Sequence, residues 1–400
     1  MPTYRPDPEL NRLVDELNRT DQPDRGTISI SALPLEEKPF DQRLGSILEA
    51  MHRIEATDLL LIPNVAPVFR IHGEMKVSDL DSLDADEIRG MVTAHMTPRS
   101  LEQFEREGAA DFSIGIASES QQLRFRINLH RQRGKPAAAI RLLPQQIPTL
   151  AELQLPSALA ELTVPNRGLV LMTGPTGAGK STTLAAMIGE INRSRARHVI
   201  TIEDPIEYEH QNGRSIIEQI EIGRDAPTFA GALRAALRQD PDVILVGEMR
   251  DLETMSTALT AAETGHLIFS TLHTGDAAQA ISRIVDVFPS NQQLQIRHQL
   301  SLALNAIVAQ QLVPTADGHG RVPAVEVLVA NYAVRNHIRH NRLPQLVSEL
   351  TLGKRQGMIS LEESLATLVR NGTITAEEAK MRSRRSDEME ALLRGTEPRG

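Results

Sequence analysis

The chain lacks cysteine and tryptophan, and aromatic residues make up only 3% of its 400 residues. Without thiols it can form neither disulfide bonds nor the zinc sites that use cysteine ligands. Hydrophobic residues still account for 40% of the chain, so its cores must be built from aliphatic side chains. A chain of this length predicts two or three domains.

Positive charge is also scarce, because 43 Lys and Arg residues face 52 Asp and Glu residues, for a formal net charge of -9. A protein that coats itself with nucleic acid needs a basic surface, so we expect no nucleic-acid partner. The sequence has no apolar run of membrane-spanning length, and its amino terminus lacks the basic-then-apolar pattern of a signal peptide. These absences predict a cytoplasmic location.

The most specific motif is a glycine-rich loop between an apolar run, 169–173, and a stretch of helix formers. It fits the G-x-x-x-x-G-K-[ST] pattern of phosphate-binding loops. Its glycines let backbone N–H groups turn toward a phosphate, and the start of the helix adds a positive dipole end. Lys180 is expected to reach the outer phosphates, and Ser181 to ligate Mg²⁺. The predicted nucleotide-binding residues are Gly174, Pro175, Thr176, Gly177, Ala178, Gly179, Lys180, Ser181 and Thr182.

Continuous apolar strands alternate with amphipathic helices after this loop, with strand-like runs at 199–202, 243–246 and 266–270. Such alternation predicts an α/β fold with a parallel sheet covered on both faces. Ligands of these sheets bind at the carboxyl ends of the strands. Further along, the pattern predicts helices over 277–287 and 294–311 and a strand over 324–329.

Acidic residues follow two of these predicted strands. A nucleotide hydrolase needs one carboxylate to hold the metal, directly or through water, and another to orient or deprotonate the attacking water. Glu203 and Glu248 can divide these tasks, and the spacing leaves open which is the base and which joins Ser181 at Mg²⁺. The simpler alternative for Glu248 is an ion pair with Arg250.

A small mixed domain is predicted before the loop, beginning with a helix that repeats apolar residues at 44, 47, 48 and 51. Alternation over 123–129 predicts a strand with apolar residues on one face and Arg124 and Arg126 on the other. Two interpretations stay open for these arginines. They form the solvated face of a sheet, or their guanidinium groups neutralise a γ-phosphate bound to the next subunit.

Four ordered segments resemble the Walker A, Asp box, Walker B and His box of the type II/IV secretion ATPases: 174–183, 200–207, 237–251 and 261–274. The resemblance extends over about 40–379. It implies a RecA-like P-loop ATPase core, a smaller PAS-like α+β N-terminal domain and a helical C-terminal segment. It also implies a homo-hexamer that binds ATP and Mg²⁺ between subunits.

The resemblance gives roles to individual residues. Lys180 and Ser181 hold phosphates and Mg²⁺, and Glu203 and Glu248 are the acidic catalytic pair. The residues that the family places near the γ-phosphate, from the His box or from the N-terminal domain, are His266, His273, Arg124 and Arg126. Two departures stand out. The segment 57–60 lacks the family's histidine, and the retraction motif at 333–340 carries His337 and His340 where the family has leucine and glutamate.

Assembly and type II secretion relatives carry a four-cysteine zinc segment, so the absence of cysteine favours the PilT/PilU retraction branch. That branch implies an ATP hydrolase that powers type IV pilus retraction and twitching motility. Expected partners are an inner-membrane platform protein at the inner face of the cytoplasmic membrane and a paralogous retraction ATPase, with membrane contact only through partners. The alternatives are an accessory PilU-like ATPase, an assembly or type II secretion ATPase, a RecA-type nucleic-acid motor and a non-hydrolysing nucleotide-gated adaptor.

The sequence predicts six segments along the chain. They are a polar extension (1–39), the PAS-like domain (40–150), a linker (151–166), the ATPase core (167–331), a C-terminal helical segment (332–385) and a charged tail (386–400).

Overall fold

The computed structural model describes residues 28, 40–118 and 121–394, which divide between Leu143 and Pro144 into two compact units. The predicted polar extension lies outside the described residues except for Ile28, which forms a parallel bridge with Ser78. No helix within the described ranges is long and apolar enough to cross a membrane. The finer division into six segments stays a prediction.

The first unit is a six-stranded antiparallel sheet with helices packed on it, in the order β3-β2-β1-β6-β5-β4. Its described elements are α1 (Phe40–Arg53), β1 (Ala56–Leu61), β2 (Val68–Ile71), β3 (Glu74–Val77), α2 (Ala85–Thr93), α3 (Pro98–Glu107), β4 (Ala109–Ser118), β5 (Gln121–Gln132) and β6 (Lys135–Leu142). A capping box formed by Asp84 and Glu87 starts α2, and Thr97 caps α3.

The core of this unit follows from two periodicities. The apolar residues of α1 recur at helical spacing, and Leu44, Ile47 and Met51 are fully buried. Along β5, alternate side chains such as Phe125 and Ile127 are fully buried against the helices, whereas the residues between them are half-buried. The predicted strand and its alternation are therefore confirmed.

The second unit contains a seven-stranded sheet in the order β13-β12-β7-β11-β10-β8-β9. The strands are parallel except for the β12–β13 pair. Its elements are α4 (Ala158–Glu161), β7 (Gly168–Thr173), α5 (Lys180–Ser194), β8 (His198–Glu203), β9 (Ile216–Glu221), α6 (Phe229–Ala236), β10 (Val243–Val246), α7 (Leu252–Thr264), β11 (Leu267–Leu272), α8 (Ala277–Asp286), α9 (Gln293–Ala303), β12 (Leu304–Pro314), β13 (Arg321–Val329), α10 (Tyr332–Arg339), α11 (Leu346–Leu352), α12 (Leu361–Arg370), α13 (Ala376–Arg382) and α14 (Ser386–Arg394), with single 3₁₀ turns at Leu343–Gln345 and Lys354–Gln356.

Both faces of this sheet are covered, as the continuous apolar strands predict. Within β7, Leu169 and Leu171 pack into the cluster that includes α6 to α9, whereas Val170 and Met172 pack against α5 on the other face. The predicted α/β class is confirmed.

The helix predicted over 294–311 is wrong in its second half. The helix α9 ends at Ala303, and the chain continues as β12, which pairs with β7 on one side and β13 on the other. Residues 306–310 are all nearly or fully buried, so neither a helical nor an alternating pattern of exposure marks the change.

The C-terminal helices pack on β13 and on each other through a separate apolar cluster. Residues 386–394 of the predicted charged tail form α14, whose Met389 is fully buried in this cluster. Beneath α14 the carboxylate of Glu362, only 1% exposed, pairs with Arg385 at 2.5 Å and accepts hydrogen bonds from two backbone N–H groups.

We predict that Arg385→Ala lowers the free energy of unfolding by about 3 kcal/mol, because it leaves a buried carboxylate without its cation. Arg394→Ala is the control at the other end of α14, since its pair with Glu390 is exposed and such pairs contribute at most about 1 kcal/mol. Urea unfolding of the two variants at neutral pH measures both values. Equal losses would contradict the interpretation.

The same two proteins give a second prediction when their unfolding is measured at acidic pH. Burial alone would raise the pKa of Glu362, but backbone hydrogen bonds and the charge of Arg385 outweigh burial and hold the pKa below its ordinary value of 4.5. A carboxyl whose pKa is lowered by folding stabilises the protein above the unfolded-state pKa, and that contribution is lost as the pH falls through the folded-state pKa. The difference in the free energy of unfolding between the wild type and Arg385→Ala should therefore become smaller as the pH falls below 4.5.

Candidate functional site

The carboxyl ends of four neighbouring parallel strands meet at one edge of the second unit's sheet. The register pairs Thr173 at the end of β7 with Leu272 of β11, and Val246 of β10 with Ile202 of β8. Whatever follows these strands is thereby brought to one edge. The segments that follow contain the glycine-rich loop, Glu203 and Glu248.

The glycine-rich loop adopts a conformation that only glycine takes easily. Gly174, Gly177 and Gly179 all have positive φ angles, of 148°, 77° and 82°. Gly179 occupies the N-cap position of α5, and no side chain caps the helix there. Because the first N–H groups of a helix lack intrahelical partners, the start of α5 offers donors to an anion.

Lys180 is the cation of this loop and is only 8% exposed. Its ammonium group donates to the carbonyl oxygens of Gly174 at 2.8 Å and of Pro175 at 3.0 Å. Burial lowers the pKa of Lys180, and the charges of Glu207 and Glu248 act in the opposite direction. The lysine is therefore held inside the loop by backbone carbonyls, with acidic groups close enough to affect its ionisation.

A pair of threonines ties the end of β7 to the loop after β11. The hydroxyl of Thr173 lies 2.6 Å from the Thr274 carbonyl oxygen and accepts a hydrogen bond from the Thr274 N–H at 3.0 Å. This contact fixes the backbone next to His273.

Glu203 ends β8 in a half-buried position. Its Oε1 atom accepts hydrogen bonds from the Thr201 hydroxyl at 2.8 Å and from the Gln219 side chain at 3.2 Å. Burial raises the pKa of Glu203 to about 7, although these hydrogen bonds lower it. A carboxyl with a pKa in this range can accept a proton at neutral pH.

Glu248 follows β10 and is surrounded by cationic or polar groups. Its carboxylate pairs with Arg250 at 2.8 Å and lies 3.7 Å from Nε2 of His273. Both the catalytic interpretation and the ion-pair interpretation are compatible with this geometry, because a carboxylate that orients a metal or water also needs partners of its own. The structure thus brings His273 and Glu248 together.

A small cavity of about 40 Å³ joins two of the predicted residues, since Ser181 and Glu203 both line it, together with Tyr208, His210 and Gly247. Burial lowers the pKa of His210 to about 4. A space of this size holds a water or a small cation. Among the described residues no group of three or more acidic or histidine side chains could hold a metal. Mg²⁺ fits all the same, because it takes few protein ligands and completes its shell with phosphate and water.

A second, larger cavity of about 400 Å³ lies elsewhere in this unit, between residues 154–156 and 354–371. None of the predicted site residues lines it.

The structure does not bring His266 to this edge of the sheet within the chain. His266 immediately precedes β11, at the amino end of the strand, and its Nδ1 lies 3.1 Å from the carbonyl oxygen of Ala261. A six-residue strand spans roughly 20 Å, so His266 and His273 flank opposite ends of it. The motif spacing places them close in sequence, but the strand between them separates them in space.

Arg124 and Arg126 lie on the polar face of β5 in the first unit. Arg126 makes a two-pronged contact with Asp111 on β4, with Nη2 2.6 Å and Nε 3.0 Å from its carboxylate oxygens. The assignment of both arginines to the nucleotide stays a prediction.

Two residues that the motifs do not contain also contact the loop or its helix. The Tyr208 hydroxyl donates to Thr182 at 3.0 Å, and Gln310 of β12 contacts both Ala178 and Thr183. The sequence carries one signal for Gln310, since Gln310 and Gln311 interrupt an otherwise apolar stretch at 306–313.

Comparison with known proteins identifies the family. The family model described as type II/IV secretion system protein matches residues 61–396. A twitching motility protein of Neisseria gonorrhoeae is 47% identical over 323 residues, which cover 81% of this chain and 86% of the relative. The type IV pilus retraction ATPase PilT of Pseudomonas aeruginosa is 41% identical over 329 residues, which cover 82% of this chain and 94% of the relative.

The fold has a solved counterpart as well. A crystal structure of the pilus retraction motor PilT with bound ADP matches with a TM-score of 0.78 and 45% identity, covering 86% of this chain and 98% of the other. The chain therefore belongs to the type II/IV secretion system protein family, and the prediction of a PilT-type secretion ATPase with a RecA-like core is confirmed.

Proposed function

We propose that this protein is a homo-hexameric motor that hydrolyses ATP to retract type IV pili at the inner face of the cytoplasmic membrane. The observation that carries the proposal is the buried Lys180 within the glycine loop, with Glu203 and Glu248 at neighbouring strand ends. An inner-membrane platform protein and a paralogous retraction ATPase are proposed partners, because the resemblance to the retraction branch implies both.

Binding begins with the loop. A phosphate entering it accepts hydrogen bonds from the N–H groups at the start of α5. Lys180 exchanges its contacts with the Gly174 and Pro175 carbonyl oxygens for the phosphate oxygens. The exchange is favourable because an ammonium group forms a stronger interaction with an anion than with a neutral carbonyl.

Ser181 and Glu248 are the residues that we propose hold Mg²⁺, directly or through water. The bound ion supplies charge neutralisation at the β- and γ-phosphates. Glu248 suits this role because it follows β10, whose carboxyl end lies at the same edge of the sheet as the glycine loop.

Glu203 is proposed to orient and deprotonate the attacking water. Two neighbouring carboxyl groups in unlike environments commonly divide acid–base and electrostatic tasks. Glu203 has the pKa raised by burial, whereas Glu248 is paired with Arg250. Arg124 and Arg126 of a neighbouring subunit are proposed to neutralise the γ-phosphate, because guanidinium groups match phosphate geometry.

The departures at 333–340 favour a second candidate, an accessory retraction ATPase of the PilU kind. On α10, His337 lies 3.2 Å from Glu349, and His340 contacts the Asn336 carbonyl oxygen at 2.9 Å. Both substituted histidines are thus used inside the subunit. Complementation of a pilated strain that lacks its retraction ATPase separates the candidates, because a principal motor restores twitching by itself.

We predict that Lys180→Ala lowers kcat/KM for ATP by roughly 10²-fold or more, because it removes the positive charge that faces the phosphates. Lys354→Ala is the control, since this exposed lysine pairs with Glu363 and lies outside the site. Phosphate release by the purified full chain measures both rates. ATP hydrolysis at the wild-type rate in Lys180→Ala would contradict the proposed ATPase function.

Isosteric amides distinguish the two carboxylates. Glu203→Gln should lower kcat by about 10²–10⁴-fold without changing the Mg²⁺ concentration needed for half-maximal activity, because only proton transfer is lost. Glu248→Gln should raise the required Mg²⁺ concentration. Glu218→Gln, an exposed residue next to His198, serves as control. The reverse pattern in a magnesium titration would assign the roles the other way round.

Arg126→Ala should lower kcat at saturating ATP by about tenfold or more, since charge-stabilising residues act mainly on the transition state. Folding should change little, because the Asp111 pair is partly exposed. Arg106→Ala, which removes an exposed pair with Glu107, is the control. Light scattering verifies the assembly of both variants, and unchanged kcat in an assembled Arg126→Ala protein would exclude the arginine from the reaction.

A further inference from the structure

We infer that Gln310 is a positioning residue that fixes the glycine loop in the shape that binds phosphate. The inference rests on the proposed function and adds to it a residue from a strand that no nucleotide motif includes. Gln310 lies on β12 and is 3% exposed.

Both ends of the Gln310 side-chain amide are used. Nε2 donates to the Ala178 carbonyl oxygen at 2.7 Å, and Oε1 accepts from the Thr183 hydroxyl at 2.9 Å. The orientation of the amide is determined, because a backbone carbonyl can only accept and must therefore face the NH₂ group. One side chain thus joins the loop to the first turn of α5.

The backbone of the same residue limits the loop at its other end. A Cβ atom on Gly174 would collide with the carbonyl oxygen of Gln310, and a Cβ atom on Gly179 would come within 3.0 Å of its Nε2. Gly174 is therefore required by the close approach of the β12 backbone as well as by its positive φ angle, whereas Gly179 is required by its φ angle. Residue 310 contacts the loop near its start and near its end.

The contact with Ala178 sets the direction of one phosphate donor. The peptide bond between Ala178 and Gly179 is planar, so its C=O and N–H groups point in opposite directions. With the carbonyl held by Gln310, the Gly179 N–H points away from β12. Without the contact with Gln310, the peptide group between Ala178 and Gly179 can rotate, and the Gly179 N–H then points away from the phosphate.

The support for this contact is rigid. β12 lies between β7 and β13, and Gln310 itself is paired with Val325 of β13. The N–H of Val325 donates to Ser364 of α12 at 3.0 Å. Gln310 is thus held by the sheet independently of the loop that it contacts.

The test replaces Gln310 by leucine, which has a similar size and neither polar atom. Gln310→Leu should raise KM for ATP and Kd for fluorescent ADP about tenfold, and leave kcat within about twofold, because a phosphate donor acts on the ground state and the transition state alike. Gln311→Leu is the matched control on the adjacent residue, whose side chain reaches only the Arg382 carbonyl oxygen at 3.4 Å. It should leave KM and Kd unchanged.

Thr183→Val provides a second variant that removes only the hydroxyl partner of Oε1. It should raise KM about threefold in the wild-type background and have no effect in the Gln310→Leu background, because the two groups act through one contact. This variant also decides the matter if Gln310→Leu does not fold, since an unchanged KM in Thr183→Val would then overturn the inference.

Further outcomes separate the inference from the function on which it rests. Failure of the wild-type chain to bind ADP or hydrolyse ATP refutes the proposed function. An active wild type with KM and Kd unchanged in Gln310→Leu refutes the positioning role alone. A lowered kcat at unchanged KM, accompanied by a lower melting temperature, would mean that Gln310 only stabilises the fold, which also overturns the inference.

Discussion

The unsatisfied amino terminus of α5 is the constraint on which the rest of the second unit depends. Gly179 leaves this helix without a side-chain cap, and the lysine that begins it is buried and donates to two backbone carbonyl oxygens. A helix end of this kind is stabilised by an anion. The tight turn before it, the close approach of β12 and the threonine contact across β7 and β11 all serve to keep this arrangement in place.

The parallel sheet then decides which chemistry surrounds the anion. Because adjacent parallel strands end at one edge, residues separated by 45 positions, such as Glu203 and Glu248, are presented to the same region. Their surroundings differ, one carboxyl being buried beside hydroxyl and amide groups and the other lying beside a guanidinium group. The division of labour that we propose, with metal binding at Glu248 and proton transfer at Glu203, rests on this difference rather than on their positions in the sequence.

Local sequence patterns predicted the features that depend on local chemistry. The glycine loop, the burial of β7 and the alternation along β5 were predictable because periodicity and glycine geometry determine them. Features that depend on residues distant in the sequence could not be predicted in this way. The pattern predicts a helix across the first part of β12, because a strand buried on both faces has no distinguishing period. The burial of Met389 in α14 depends on the other helices of its cluster. His266 shows the same limit, since His273 of the same motif lies at the other end of β11.

A structure of the full chain with bound ADP tests the central claim most directly. The account predicts that the β-phosphate lies among the N–H groups at the start of α5 and that the Lys180 ammonium has left the carbonyl oxygens of Gly174 and Pro175 to contact it. ADP bound elsewhere, with Lys180 still on those two carbonyl oxygens, would contradict the account.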